Sequence, residues 1–424
     1  MSGLAFAQAP PPGQPLRFLL AALIWGGCAG AWLLWTGETA LLTRWAPRTL
    51  VLVHLFTLGV LGNAMIGSLF QFLPVAAGCP LPLPRQAAWL HAAFNVGLLL
   101  LLSSLLLLSS LVFPSRALAA GSTLLLAPPL ALFAISGLIA VIRGNGPRAP
   151  RLGIGVALAS LFATVVLGLA LLAALTGIWA LPLDRVANLH ATLGLAGWAL
   201  ALLGAVGSIT VPMLQGTRRI PAGGLLAWLG VLVLALAWTG GVALSGASPS
   251  PARALALPGL VFCIAVLILQ ARAPHPRNPV LRHFWRAGCA ALAAACLLGL
   301  RPDPSARDLL TIGALVIAIG LPFLVLGMLL EIIGFLAWIE LRRRHPRGVR
   351  VPGVDRLLDD TRKQRLLYLH LFAACLLLAA IRQPAFARTA GAALMLAWGA
   401  SGWAVLGCWR EALRFQPAGV DRST

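Results

Sequence analysis

The stretch VHLFTLGVLGNAMIGSLFQFLPV, from Val53 to Val75, decides the fold class of this chain. At about 1.5 Å per residue, a helix of this length crosses roughly 30 Å of hydrocarbon. Lipid offers no hydrogen bonds to peptide groups, so the stretch must be a helix. Its one histidine, His54, stands about one turn inside the apolar run and is followed by Gly59 and Gly62.

Similar apolar runs recur along all 424 residues, of which 60% are hydrophobic and only 10% charged. Soluble domains carry about 25% charged residues, which excludes a water-soluble protein. The sequence therefore predicts an all-α, polytopic membrane bundle of about twelve transmembrane helices. The predicted spans are 17–37, 50–75, 87–112, 117–142, 152–180, 187–214, 222–245, 254–271, 284–300, 308–340, 366–381 and 386–408.

The net charge of +21 is spread unevenly over the loops between these spans. Loops after even-numbered spans, together with the two termini, hold 23 of the 32 Lys and Arg residues, and the other loops hold nine. The positive-inside rule then predicts that both termini lie in the cytoplasm. The expected location is a bacterial inner membrane. This reading divides the chain into a lead-in (1–16), a membrane domain (17–408) with a basic loop (341–365), and a tail (409–424). Membrane lipids are the expected partners of the basic loops, and nucleic acid is not.

Four of the seven histidines stand near the start of a predicted span: His54, His91, His190 and His370. The predicted topology places His54 and His190 near the outer face, and His91 and His370 near the inner face. An ionisable side chain inside a span is costly and marks a functional site, and imidazole ligates haem iron or a transition metal. The alternative for each histidine is a hydrogen bond to water at the membrane interface.

His54 and His190 are the stronger ligand candidates. His54 is followed by LGVLG, and His190 by the similar LGLAG. Glycines three residues apart let another helix, or a flat ligand, approach closely. The likeness of these segments also indicates a weak internal repeat.

Other chemistry finds little support. Glu331 is the acidic residue that falls well inside a predicted span, and a salt bridge with a nearby arginine is its expected role. The seven cysteines form no CxxC pair or haem-attachment motif. There is no phosphate-cradling loop or nucleophile–base pair, so hydrolysis and phosphoryl transfer are poorly supported.

Two segments carry a family resemblance: HLFTLGVLGNAMIGSLFQFLPV on the second span and LHATLGLAGWALALLGAVGSITVPM on the sixth. They resemble subunit I of the haem-copper oxidases and nitric oxide reductases, and more closely some poorly characterised bacterial proteins related to it. The resemblance implies a cytochrome oxidase subunit I-like fold. It also implies that His54 matches an axial ligand of the low-spin haem. His190 lies on the helix whose histidine binds copper or non-haem iron in that family.

The chain also departs from this pattern. Its seventh span, GGLLAWLGVLVLALAWTGG, lacks the adjacent histidine pair of the metal site, and no late span carries an HxH pair. The helix-six tyrosine is absent too, since Tyr368 is the only tyrosine. No copper site and no oxygen- or nitric-oxide-reducing centre is therefore expected.

The resulting hypothesis is a haem-binding protein in which His54 pairs with His190 or His370. Its role would be electron transfer, sensing or assembly, with a cytochrome or a respiratory or denitrification complex as partner. Two alternatives stay open at this point. One is a secondary transporter, which inverted repeats and a central polar cavity would favour. The other is a catalytically silent assembly or regulatory subunit.

Overall fold

The computed structural model describes residues 10–78, 83–107, 114–346 and 349–416, and these contain helices and no strands. Short connections join twelve long helices, so neighbours in sequence run antiparallel. The helices are α1 (Gly13–Leu41), α2 (Pro47–Pro74), α3 (Ala87–Leu107), α4 (Arg116–Arg143), α5 (Arg148–Leu175), α6 (Leu183–Gln215), α7 (Ala222–Leu244), α8 (Pro251–Ala271), α9 (Pro279–Gly299), α10 (Ala306–Arg343), α11 (Asp360–Arg382) and α12 (Pro384–Arg414).

Eleven of these helices, all except α9, are long and apolar enough to cross a membrane, which confirms a polytopic helical membrane protein. The ninth predicted span, 284–300, is helical as α9 but is less apolar because Arg282, His283 and Arg286 lie in its first turns. It packs between α8 and α10 all the same. Large apolar side chains such as Leu234 face outward, as expected for contact with lipid. The last residues of the predicted span 87–112 lie outside the described residues.

Hydrogen bonds join the loops at each end of the bundle. We call the end with the loops after odd-numbered helices the odd-loop end, and the opposite end the even-loop end. At the odd-loop end Arg253 donates to the carbonyl of Pro302, and Arg116 donates to the carbonyl of Thr176. At the even-loop end the amide of Arg277 donates to the carbonyl of Gln215. These contacts group the loops after odd-numbered helices at one end and the loops after even-numbered helices at the other, as an up-and-down order of the helices requires.

The first and last helices close the bundle through glycine. A Cβ on Gly30 of α1 would overlap the backbone of Met395 in α12, and one on Gly391 would overlap the backbone of Leu34. Helices in lipid gain most of their association energy from such close backbone packing, which only the smallest residues permit. The helices α1 and α12 are thereby held side by side.

Three helices contain a stretch of π-helix, at Leu55–Gly62 in α2, Leu193–Leu200 in α6 and Ala314–Gly320 in α10. Each π-turn bonds i to i+5, which widens the helix and turns the following side chains, and such turns are frequent at functional sites. The helices α2, α6 and α10 are all even-numbered helices of an up-and-down bundle, so they run in the same direction. The π-helical stretch is therefore a feature that α10 shares with α2 and α6, but α10 has no histidine before it.

A buried ion pair ties α10 to α11. Nζ of Lys363 lies 2.6 Å from Oε1 of Glu331, and the two side chains are only 6% and 10% exposed. A salt bridge was expected for Glu331, but its partner is the single lysine of the chain and not an arginine. Removing one member of such a pair leaves an uncompensated charge away from water.

We expect Lys363→Met to lower the free energy of unfolding by about 3–5 kcal/mol, because the Glu331 carboxylate loses its partner. Thermal unfolding of the purified protein in detergent measures the effect. The matched control is Arg344→Met in the exposed Arg344–Glu340 pair, where the loss should stay below about 1 kcal/mol. Equal effects of the two substitutions would contradict this assignment.

Candidate functional site

A cavity of about 630 Å³ lies among α2, α5, α6 and α10. All three π-helical stretches contribute to its wall, for example through Leu58, Leu195 and Ile317. Leucine, isoleucine and valine form most of the wall, and the cavity extends toward the odd-loop end, where Arg44 and Asn188 reach it. The structure therefore provides an elongated apolar space with polar groups at one end.

His54 lines this cavity from α2, directly before the π-helical stretch. Its Nδ1 lies 2.8 Å from the carbonyl oxygen of Leu50, one turn earlier in the same helix. A carbonyl only accepts hydrogen bonds, so Nδ1 carries the proton of the neutral ring and Nε2 carries the lone pair. The one hydrogen bond of this ring that the structure describes uses Nδ1 and not Nε2. This is the form in which imidazole binds a metal.

His190 repeats the arrangement from α6. Its Nδ1 lies 3.0 Å from the carbonyl oxygen of Thr164 in α5, which again leaves the Nε2 lone pair free. A Cβ at Gly168 would lie 3.1 Å from Cε1 of the ring, so glycine there gives the imidazole its space. His190 is also within electrostatic reach of His54. The structure thus brings the two stronger ligand candidates to one cavity.

The other two candidate histidines lie elsewhere, and neither lines the cavity. Nε2 of His370 lies 3.0 Å from the hydroxyl of Ser401, and the ring packs edge-on against Trp398 and Phe323. His91 packs edge-on against Phe18. The described contacts do not bring His91 and His370 together, so their role as cofactor ligands stays a sequence-based prediction.

Arg44 is a site residue that sequence reasoning missed. Its Nη1 donates to Oδ1 of Asn188 at 2.7 Å, and Nδ2 of Asn188 donates to the hydroxyl of Ser248 at 2.8 Å. The guanidinium also stacks 4.4 Å above the ring of Trp45. Burial lowers the pKa of Arg44, and the Asp184 carboxylate opposes that shift. One signal was available, because Arg44 is among the nine basic residues in the loops that carry few of them.

The donor set limits which metal group the cavity can take. The described residues contain no group of three or more His, Cys, Asp or Glu side chains that could hold a metal ion. A bare zinc or copper ion normally needs three or four protein ligands. A haem iron already has four porphyrin nitrogens and needs only one or two axial ligands. Two imidazoles line this apolar cavity, which matches the number of side-chain ligands that a haem iron takes.

Comparison of the chain with protein-family models found no match, and neither did comparison with curated proteins.

We expect Asn188→Leu to lower the free energy of unfolding by about 1–3 kcal/mol, since Arg44 and Ser248 both lose a hydrogen-bond partner. The control is Asn145→Leu, which makes the same change at an exposed loop position. Thermal unfolding in detergent compares the two variants. Equal stability of both variants would show that the hydrogen bonds of Asn188 with Arg44 and Ser248 contribute nothing to the stability of the fold.

Proposed function

We propose that this protein binds a haem in the cavity, with Nε2 of His54 and Nε2 of His190 as axial ligands. One observation carries the proposal. Two imidazoles reach the same cavity, and each is held by a backbone carbonyl through Nδ1 so that Nε2 is the free nitrogen. Such a hydrogen bond fixes the tautomer and the ring orientation that ligation needs. His190 is preferred to His370 as the second ligand because it lines the same cavity.

The ends of the cavity match the ends of the proposed ligand. A haem is apolar over most of its area and carries two carboxylates on one edge. The leucine-rich wall suits the apolar part. Arg44 offers a guanidinium at the odd-loop end, already oriented by Asn188 and Trp45, and a guanidinium pairs well with a carboxylate. This complementarity supports haem over an uncharged apolar ligand.

We infer a role in electron transfer or sensing and not in oxygen reduction. A bound haem supplies one-electron chemistry. His54 and His190 would hold the iron of such a haem through two imidazoles, which would disfavour the binding of oxygen. A relationship to subunit I of the haem-copper oxidases belongs to the same proposal. So does an inner-membrane location with the odd-loop end facing outward, because the basic residues concentrate at the other end.

The transporter alternative receives less support. It was tied to inverted repeats and a polar central cavity. In the described residues the repeated π-helical helices run parallel, and the wall of the cavity is mostly apolar. The assembly-subunit alternative requires neither haem binding nor transport. Purified protein that contains no haem would favour it.

The test is an absorption spectrum of protein purified from haem-replete cells. We expect the intense Soret band of a haem, and we expect His54→Ala and His190→Ala each to shift or abolish it because an axial ligand is lost. His91→Ala and His370→Ala are matched controls inside the bundle, and His283→Ala is the control on the surface. A colourless wild-type protein would overturn the proposal. So would an unchanged spectrum in the His54→Ala and His190→Ala variants.

A further inference from the structure

A second polar cluster lies at the even-loop end, away from the cavity. It joins the end of α6, the end of α8 and the start of α9. Gln215 and Gln270 are almost completely buried there, and Nε2 of Gln270 donates to Oε1 of Gln215 at 2.8 Å. Two arginines of α9 complete the cluster. Arg286 donates through Nε to Oε1 of Gln270 at 3.1 Å, and Arg282 donates to the backbone carbonyl of Gln270 at 2.8 Å.

The backbone around Gln215 lies in close contact with the loop between α8 and α9. Gly216 ends α6 with a φ of 68°, the left-handed conformation that glycine adopts without strain. A Cβ at Gly216 would overlap the carbonyl oxygen of His275. The amides of His275 and Arg277 donate to the carbonyls of Gly216 and Gln215. The loop between α8 and α9 is therefore fixed against the end of α6, and the cluster is held in place.

The cluster has a surplus of hydrogen-bond donors. Nε2 of Gln215 and Nε of Arg282 are both buried, and within the described residues neither has a hydrogen-bond partner. Buried donors are nearly always satisfied in folded proteins, so two unsatisfied donors in one cluster call for an acceptor. The acceptors that the cluster does contain, Oε1 of Gln215 and Oε1 of Gln270, are already in use.

The cluster also has a surplus of positive charge. Arg282 and Arg286 are one turn apart and repel each other. Neither forms an ion pair in the part of the chain that the structure describes. The sequence contains no acidic residue between Asp184 and Asp303, so α7, α8 and α9 carry no carboxylate, and Asp184 lies at the opposite end of α6 from Gln215. Arg286 is exposed and Arg282 is half-buried, so an anion with several acceptor oxygens can reach both side chains.

We propose that this cluster is a binding site for a phosphate group, held by Arg282, Arg286 and the amide of Gln215. Phosphate oxygens accept the forked hydrogen bonds that guanidinium groups donate. The site lies at the end of the bundle where basic loops meet the membrane surface, so the phosphate belongs either to an anionic lipid headgroup or to a free phosphate. This proposal is independent of haem binding.

Binding measurements on delipidated protein in detergent test the site and its source of phosphate. Isothermal titration calorimetry is run with three probes: dioctanoyl-phosphatidylglycerol, inorganic phosphate, and dioctanoylglycerol, which has no phosphate. We expect one or both phosphate probes to bind and dioctanoylglycerol not to bind. Binding of phosphatidylglycerol alone identifies a lipid headgroup, and comparable binding of inorganic phosphate identifies a free anion.

Variants locate the binding. We expect the Arg282→Gln and Arg286→Gln substitutions together to weaken phosphate-probe binding by about tenfold or more, since charge-assisted hydrogen bonds are lost. The control is Arg272→Gln, which removes one positive charge at an exposed position where the loop before α9 begins. Gln215→Glu is a second variant of nearly unchanged shape, and its carboxylate should occupy the arginines and abolish binding.

Three results would overturn the proposal. One is that the wild-type protein binds neither phosphate probe. Another is that dioctanoylglycerol binds as tightly as phosphatidylglycerol, which would indicate apolar contact alone. The third is that Arg272→Gln weakens binding as much as the double substitution, which would indicate unspecific surface charge.

Discussion

The hydrogen bond between a histidine Nδ1 and a backbone carbonyl oxygen is the interaction on which the proposed site depends. In His54 the carbonyl belongs to the same helix, and in His190 it belongs to the neighbouring helix α5. Each bond fixes the proton on Nδ1 and so leaves the lone pair on Nε2. Without these bonds the two rings would be ordinary polar groups near helix ends, where water satisfies them at little cost.

The same constraint governs the rest of the bundle, because polar groups inside lipid must find partners within the protein. Asn63 and Asn95 bond to each other between α2 and α3, and Asn95 also accepts from Trp25 of α1. Lys363 and Glu331 satisfy each other between α10 and α11. The Gln215–Gln270 cluster differs from these pairs because its donors outnumber its acceptors, and that imbalance is what indicates an external anion.

Much of the fold followed from the sequence, since length and apolarity suffice to identify membrane-spanning helices. Eleven of the twelve predicted spans meet those criteria. The remaining one, the ninth span (α9), is helical but more polar. Helix direction also sorts residues by depth, which predicted His54 and His190 at the same end of the bundle, and both line one cavity. Contacts between helices that are distant in sequence could not be predicted from the sequence. Asn188 is 144 residues from Arg44, and no local pattern indicates that pair or the choice of Lys363 as the partner of Glu331. Nor does helical periodicity reveal a π-turn.

The central claim is that two imidazoles from separate helices share one iron. Low-temperature electron paramagnetic resonance of the oxidised protein tests it most directly, because two imidazole ligands make ferric haem low-spin. The account predicts a low-spin signal in the wild-type protein that changes to high-spin in His190→Ala. A high-spin signal in the wild-type protein, or a low-spin signal that survives loss of His54 and of His190, would contradict it.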